Sequence, residues 1–355
     1  MASMPADLAP APAEAGYAAP ALDALWRRGR EFLGCRYAIL GGAMSWVSER
    51  HLVAAISNAG GFGVIACGAM NPDQLAAEIA GTQALTGRPF GVNLITMHPA
   101  LEDLVRVTLA AGVGHVVLAG GIPPGGAVRA VKDGGARLVC FAPALVLARR
   151  LVRSGADALV IEGSEAGGHI GPVSLTVLAQ EILPAMREVP VFVAGGIGRG
   201  EAILAFLEMG AAGAQLGTRF AAARESIAHP SFKRAFLRAN ARDALPSVQL
   251  DERFPVIPVR GLVNAGTKRF LEHQRAVIDR FLAGAVSREA AQLEIEHFWA
   301  GALRRAVIEG DIENGSVMAG QSVGMVSAEQ STAEIIAELV GQAEAALARR
   351  GGSAA

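Results

Sequence analysis

Residues 158–171 read ALVIEGSEAGGHIG, in which an apolar run ends at Glu162 and is followed by a glycine-rich loop that carries His169. Two more runs of this form follow along the chain, VFVAGGIG at 191–198 and GAQLGTRF at 213–220. Short, continuous apolar runs are typical of strands that are covered on both faces, as in parallel sheets. The three runs therefore predict consecutive parallel β-strands, each ending in a polar or glycine-rich loop.

The same pattern extends toward the N-terminus, where strands alternate with helical patterns such as Pro72–Leu85. Eight candidate strands start 20–33 residues apart, which suits a strand followed by a crossover helix. Eight such units predict an α/β fold, the (β/α)8 TIM barrel, whose functional loops follow the carboxyl ends of the strands. A doubly wound open sheet is the alternative, because spacing alone does not show closure. The predicted strands are Tyr37–Leu40, Gly63–Ala66, Phe90–Leu94, His115–Leu118, Leu138–Phe141, Ala158–Ile161, Val191–Ala194 and Gly213–Leu216.

The chain divides into four predicted segments. Residues 1–20, rich in Ala and Pro, form a flexible N-terminal tail, and residues 21–224 form the barrel. Residues 225–312 carry more charge and form a small helical substrate or lid domain. Residues 313–350 form a C-terminal segment whose amphipathic helix packs back on the barrel. The helical patterns of the lid domain are His229–Asn240, Lys268–Leu282 and Ser287–Val307.

Composition excludes several classes of protein. Lys and Arg total 32 and Asp and Glu total 33, so the basic excess that a nucleic-acid partner requires is missing. Cys35, Cys67 and Cys140 lack the spacing of a zinc site or a disulfide framework, which predicts no metal and a reducing, cytoplasmic location. The uncharged stretch 52–72 is interrupted by glycines and polar residues, so no membrane span is predicted.

Polar side chains stand at two of the predicted strand ends. His169 follows two glycines that let the backbone aim the imidazole at a ligand, and an ordinary histidine pKa of about 6.5 suits proton transfer near neutral pH. His169 is therefore the catalytic candidate. Glu162 and Asn93 are candidates for contact with a cofactor, although a satisfied structural amide is the alternative for Asn93. After strand one, Gly42, Ala43 and Met44 are candidates to support one side of a flat ring system, with plain packing as the alternative.

Glycine-rich turns after the last two strands indicate a phosphate site. Gly195 and Gly196 follow strand seven and the turn Gln215–Thr218 follows strand eight, where barrels commonly hold a phosphate. Glycine brings backbone N–H groups close to an anion without a Cβ clash, and the Thr218 hydroxyl adds a donor. Ordinary turn glycines are the alternative. The cofactor-binding candidates are Gly42, Ala43, Met44, Asn93, Glu162, Gly167, Gly168, Gly195, Gly196, Gln215, Leu216, Gly217 and Thr218.

Seven motifs, taken together, resemble the nitronate monooxygenase (2-nitropropane dioxygenase) family and its close relative, the FMN-dependent enoyl-ACP reductase II. Their joint order and spacing make the resemblance specific, and it covers about residues 37–327. The motifs are GGAMSWVS (41–48), SNAGGFGVI (57–65), RPFGVNL (88–94), EGSEAGGHIG (162–171), AGGI (194–197), QLGTRF (215–220) and GSVMAGQSVGMV (315–326).

The resemblance implies a barrel that binds FMN through Asn93, Glu162, Gly167 and Gly196, with the cofactor's phosphate at the Gln215–Thr218 turn. For nitronate monooxygenases it implies oxidation of alkyl nitronates by O2 to carbonyl compounds and nitrite, with His169 as the catalytic histidine. For the reductase it implies NADH as electron donor and an enoyl thioester as substrate.

Residue identities and expected partners distinguish the nitronate monooxygenases from the reductase. Many nitronate oxidisers carry Gln at the Glu162 position and Arg at the position of Ile170, which favours the reductase here. Neither an NADH site nor a docking surface for an acidic carrier protein is recognisable in the sequence, which favours nitronate oxidation, the function we expect. A flavin-free barrel that binds a phosphorylated ligand is the alternative from another class. The expected partner is a small molecule, together with O2 or NADH, and a homodimer is compatible with the sequence.

Overall fold

A computed structural model of the protein describes residues 20–68, 70–299 and 301–352. The tail predicted over residues 1–20 lies outside this described part except for its last residue. The first described helix runs from Pro20 to Leu33.

The chain forms eleven strands and fourteen α-helices within the described residues. The strands are β1 (Ile39–Gly41), β2 (Gly63–Ala66), β3 (Phe90–Ile95), β4 (His115–Ala119), β5 (Arg137–Phe141), β6 (Ala158–Glu162), β7 (Gly168–His169), β8 (Val191–Ala194), β9 (Gly213–Leu216), β10 (Ala244–Pro246) and β11 (Val259–Leu262). The helices are α1 (Pro20–Leu33), α2 (Arg50–Asn58), α3 (Pro72–Leu85), α4 (Leu101–Ala110), α5 (Gly125–Asp133), α6 (Leu145–Arg153), α7 (Leu175–Ile182), α8 (Gly200–Glu208), α9 (Thr218–Ala221), α10 (Pro230–Arg238), α11 (Ala265–Leu282), α12 (Arg288–His297), α13 (Ala302–Arg304) and α14 (Thr332–Gly352).

Eight parallel strands form a closed barrel. They follow one another in the order β1-β9-β8-β6-β5-β4-β3-β2. The two ends of this series meet through a parallel bridge between Leu40 and Phe62, where the Gly41 N–H donates to the Phe62 carbonyl over 2.9 Å. The TIM barrel prediction is thus confirmed, and the open-sheet alternative is excluded.

The floor of the barrel is covered by helix α1, which the sequence analysis did not assign. Trp26 and Leu33 of this helix are fully buried. The Phe32 carbonyl lies 2.9 Å from Nε2 of His115, the first residue of β4. Burial lowers the pKa of His115 to about 4, so the imidazole is neutral and donates this hydrogen bond. The amino ends of the strands are therefore closed, and the carboxyl ends remain as the open face.

Residues 225–312 contain strands as well as helices. Strands β10 and β11 form an antiparallel sheet with β7, in which Val259 pairs with His169. Helices α11 and α12 enclose a separate small core that includes Phe254, Phe270 and Ile295. The helical pattern predicted over Ser287–Val307 is interrupted, and helical structure resumes at Ala302 as α13 and continues as a π-helix over Arg305–Glu309. Helix α12 ends at His297, and Gly301 adopts a left-handed φ of 69°, which no continuing helix contains.

The C-terminal helix α14 packs against α8, α2 and α1 on the outside of the barrel. The side chains of Ile335, Ile336 and Leu339 are buried in this contact. None of the described helices combines the length and apolar character needed to cross a membrane.

Candidate active site

The open face of the barrel brings the predicted site residues to one place. In a parallel barrel all strands end on the same side, so the loops after them surround a common mouth. Glu162 of β6 and Gln215 of β9 both pair with Ala194 of β8 and are therefore neighbours across three adjacent strands. Asn93 of β3 pairs with Ala66 and Val117 on another part of the barrel wall.

Asn93 presents an acceptor that has no partner in the protein. The residue is only 8% exposed, and its Oδ1 atom is buried without a hydrogen bond. Buried polar atoms are almost always paired, because leaving one unpaired costs about 1–3 kcal/mol. An orphaned acceptor at the barrel mouth is explained by a ligand that donates a hydrogen bond to it.

Glu162 is the last residue of β6, and within the described residues its carboxyl group has neither an ion-pair partner nor a hydrogen bond. Burial raises its pKa from 4.5 to about 7, because the charged form loses water without gaining a cation. Near neutral pH the group is therefore partly protonated and is able both to donate and to accept a hydrogen bond.

His169 is held by its backbone and leaves its ring free. It pairs with Val259, and the next residue, Ile170, donates its N–H to the Pro258 carbonyl over 3.0 Å. Gly168 adopts a φ of 78°, a conformation that suits glycine. The residue is exposed, yet partial burial of the ring lowers its pKa, which keeps the imidazole neutral at pH 7. Strand β11 of the 225–312 segment thus positions the catalytic candidate.

The turns after β1 and β9 contact each other, and the turn after β8 packs against the loop after β6. Gly195 and Gly196 have φ values of 95° and 69°, which orient the turn after β8 in a way that other residues disfavour. Gly42 donates its N–H to the carbonyl of Leu216 over 2.8 Å, so Leu216 contributes backbone while its side chain is in the core. Ala43 and Met44 are half-buried, and the Met44 sulfur lies 3.5 Å from where a Cβ on Gly217 would stand.

The Thr218 hydroxyl is engaged by a distant segment of the chain. Its Oγ1 atom accepts a hydrogen bond of 3.0 Å from the N–H of Gly320, within the last of the seven motifs. A Cβ on Gly167 would lie only 2.6 Å from the backbone of Ala319 and Gly320, so this contact requires glycine. The hydroxyl hydrogen of Thr218 remains able to donate to a ligand. The segment 317–321, to which we assigned no site role from sequence, therefore joins the His169 loop to the turn after β9.

Two charged residues near the mouth have structural partners. Glu165 accepts the N–H of Leu175 over 3.0 Å at the start of α7. Arg260 of β11 is buried and donates to the carbonyls of Ser164 and Ala244 over 2.9 and 2.6 Å. Arg260 thereby ties the loop after β6 to the β10–β11 sheet. Nothing in the sequence around Arg260 marks this role, because its partners are backbone carbonyls far along the chain.

Trp46, in the loop after β1, adopts a φ of 68° and is the one non-glycine residue with positive φ in the described part of the chain. Such a conformation is strained for a bulky side chain and is concentrated at functional sites. The ring is 41% exposed, and the Arg304 guanidinium lies 5.8 Å from its centroid. Trp46 therefore connects the mouth to the helical segment.

The residues at the mouth fit FMN. A flavin ring carries an imide N–H that can donate a hydrogen bond to the unpartnered Asn93 Oδ1 atom. The flavin phosphate is an anion, to which the backbone N–H groups of glycine turns can donate. No cluster of three or more His, Cys, Asp or Glu side chains suited to a metal occurs in the part of the chain that is described. Two open cavities of about 430 and 450 Å3 lie elsewhere, one beside His273 and Phe298 and one beside Arg238.

Comparison with known proteins defines the class as an oxidoreductase built on a TIM barrel. The chain belongs to the nitronate monooxygenase family, whose model matches residues 28–111 and 103–342. This confirms the family resemblance carried by the seven motifs.

Three relatives indicate the range of activities. A dehydrogenase of Mycobacterium tuberculosis that is named for a hydroxy-methyl-oxo-octahydro-indene-carboxyl-CoA is 30% identical, with 87% of this chain and 94% of the relative covered. FabK of Thermotoga maritima has a TM-score of 0.82 and 34% identity, with 92% and 98% covered. A nitroalkane oxidase of Streptomyces ansochromogenes has a TM-score of 0.73 and 28% identity, with 90% and 99% covered.

Proposed function

We propose that the protein is an FMN-dependent oxidoreductase that acts on an acyl thioester, with FMN across the mouth of the barrel. The observation that carries the cofactor assignment is the buried, unpartnered Oδ1 atom of Asn93. A ligand that donates a hydrogen bond to this oxygen explains why it is buried without a partner in the protein. The partly protonated carboxyl of Glu162 adds a second polar group without a protein partner on the barrel wall.

The residues take distinct roles in this proposal. Asn93 and Glu162 bind the polar edge of the flavin ring, and Gly42, Ala43 and Met44 support one side of it. Backbone N–H groups of Gly195, Gly196 and Gly217, together with the Thr218 hydroxyl, bind the phosphate. Gly167 and Gly168 line the loop that leads to His169. When bound, the flavin supplies the exchange of electrons with the substrate.

The thioester comes ahead of the nitronate in this proposal because of the relatives. The name of the Mycobacterium tuberculosis relative contains a carboxyl-CoA group, and FabK is the more similar of the two structures. The Glu162–Ile170 pattern also departs from many nitronate oxidisers. His169 would hold its proton on one imidazole nitrogen and exchange it with the carbon skeleton next to the thioester carbonyl. NADH is the expected electron donor for the reductive direction.

Nitronate oxidation is the second candidate, and the state of His169 favours it. Its imidazole is exposed and its pKa is lowered, so the neutral form that accepts a proton from a nitroalkane predominates at pH 7. Besides the flavin, this reaction needs O2 and a small pocket, and it needs no NADH site.

The test compares two substrate pairs on the same purified protein. Under anaerobic conditions NADH and crotonyl-CoA are added, and flavin bleaching and thioester reduction are followed; in parallel, propionate 3-nitronate is added in air and nitrite is measured. The thioester proposal expects bleaching by NADH and NADH consumption that depends on crotonyl-CoA. Nitrite formation without NADH oxidation would contradict the thioester proposal and support nitronate oxidation. Colourless protein that does not bind added FMN would support the flavin-free barrel.

The role of His169 is tested in the same assays with His169→Ala. We expect turnover to fall by about 10²-fold or more while FMN stays bound, since general acid–base catalysis typically contributes 10²–10⁴-fold. His51→Ala is the matched control, because His51 is exposed on α2 and pairs with Glu49. Equal turnover in the two variants would remove His169 from the chemistry.

A further inference from the structure

A buried arginine follows the Thr218 turn directly. Arg219 is 3% exposed, and its guanidinium donates to three acceptors. These are the Gly198 carbonyl at 2.7 Å, Gln330 Oε1 at 3.0 Å and Glu338 Oε2 at 2.8 Å. Three hydrogen bonds, one of them to a carboxylate, offset the cost of burying this charge. The positions of the three acceptors are therefore linked through the guanidinium.

The hydrogen bonds of Arg219 join the two glycine turns to helix α14. Gly198 ends the glycine turn after β8, Arg219 itself continues the turn after β9, and Glu338 lies on α14. Glu338 is held in place by Gln330 Nε2 at 2.8 Å and by Gln342 Nε2 at 2.9 Å. Gln342 also accepts the Gly200 N–H at 2.8 Å, which anchors the start of α8 to the same helix. The spacing of the two turns therefore depends on one guanidinium and on α14.

We propose that Arg219 is a positioning residue for the flavin phosphate, which holds the turns after β8 and β9 at the spacing that the phosphate requires. The inference rests on the proposed function, since it takes the phosphate to lie between these turns. Arg219 does not touch the phosphate in this account; its three hydrogen bonds go to Gly198, Gln330 and Glu338. Its effect is transmitted through the positions of backbone N–H groups.

The experiment measures the affinity of flavin-free protein for FMN and for riboflavin, which lacks the phosphate, by quenching of flavin fluorescence. In Arg219→Met we expect FMN to bind about tenfold more weakly, a change of about 1.4 kcal/mol, while riboflavin affinity changes by less than about twofold. Arg219→Lys restores part of the FMN affinity, because one ammonium group replaces part of the fork of donors. Glu338→Ala removes one anchor only and gives a smaller loss of the same kind.

The control variant is Arg224→Met. Arg224 is exposed and forms an ion pair with Glu334 on the same helix α14, and its Nε donates to the Glu329 carbonyl; within the described residues no hydrogen bond of its side chain reaches either glycine turn. Arg224→Met removes an exposed ion pair and leaves the hydrogen bonds of Arg219 in place, so both flavins should bind as in the wild type. Circular dichroism melting of each variant reports whether it is folded, and Glu338→Ala carries the test if Arg219→Met does not fold.

The outcomes separate this inference from the proposed function. Wild-type protein that binds neither flavin contradicts the proposed function. Wild-type protein that binds FMN and riboflavin equally contradicts a phosphate site between the turns. Two outcomes contradict only the positioning role of Arg219. One is that Arg219→Met weakens the binding of both flavins equally. The other is that FMN binding is unchanged in Arg219→Met and Glu338→Ala.

Discussion

Replacing Glu162 by Gln should stabilise the flavin-free protein at alkaline pH. The carboxyl is half-buried and unpaired, and burial raises its pKa from 4.5 to about 7. In the unfolded chain the group ionises above about 4.5, so between this pH and 7 the folded state binds more protons than the unfolded state. Stability from this group is therefore lost as the pH rises through that window.

The size of the effect follows from the two pKa values. One pKa unit corresponds to 1.36 kcal/mol, so ionisation of Glu162 destabilises the fold by about 1 kcal/mol at pH 5 and about 3 kcal/mol at pH 8. Glutamine carries no titrating proton, and its own burial cost is the same at both pH values. The Glu162→Gln variant should consequently gain about 2 kcal/mol relative to wild type between pH 5 and pH 8.

The assay is urea unfolding of both proteins, stripped of flavin, at the two pH values. Glu165→Gln is the control, because Glu165 accepts the Leu175 N–H at the start of α7 and gives no gain at pH 8 when it is replaced. A stability difference between wild type and Glu162→Gln that is identical at pH 5 and pH 8 would refute the assignment of a buried, unpaired carboxyl.

Two further substitutions test the mouth of the barrel. Asn93→Ala removes the orphaned Oδ1 acceptor, so the free energy of unfolding of the flavin-free protein should fall by no more than about 1 kcal/mol. FMN should bind about tenfold more weakly to this variant in a fluorescence titration. Unaltered FMN affinity would contradict the role of Asn93. Gly167→Ala places a Cβ 2.6 Å from the backbone of Ala319 and Gly320, so urea unfolding should show a loss of about 1–3 kcal/mol, and wild-type stability would mean that the contact is looser than described.

The barrel itself was predictable because its signals are local. Each of the eight strands is a short apolar run, and the boundaries of β2 and β8 and of helix α3 agree with the patterns. Helix α1 was not predicted, because it precedes the first strand and belongs to none of the strand–helix units. The small sheet was missed for another reason. Strand β7 has two residues and therefore no periodicity, and its partner β11 lies far along the chain.

For the site, the sequence indicated which residues reach the mouth but not what each one contacts. The position of the glycine turns and of the end of β6 at the mouth follows from the sequence pattern, because parallel strands in a barrel bring their carboxyl ends together. The contact of Thr218 with Gly320 and the bridge made by Arg219 depend on tertiary folding over more than a hundred residues. The unpaired state of Asn93 and Glu162 is likewise a property of the folded surroundings. The roles of these residues in binding a cofactor stay predictions.

The most direct test of the account is a crystal structure of the protein grown with FMN. We expect density for the phosphate between the Gly195–Gly196 turn and the Gly217–Thr218 turn, with the ring within hydrogen-bond distance of Asn93 Oδ1. Density for FMN away from the carboxyl ends of the strands, or crystals without bound FMN at saturating concentration, would contradict it.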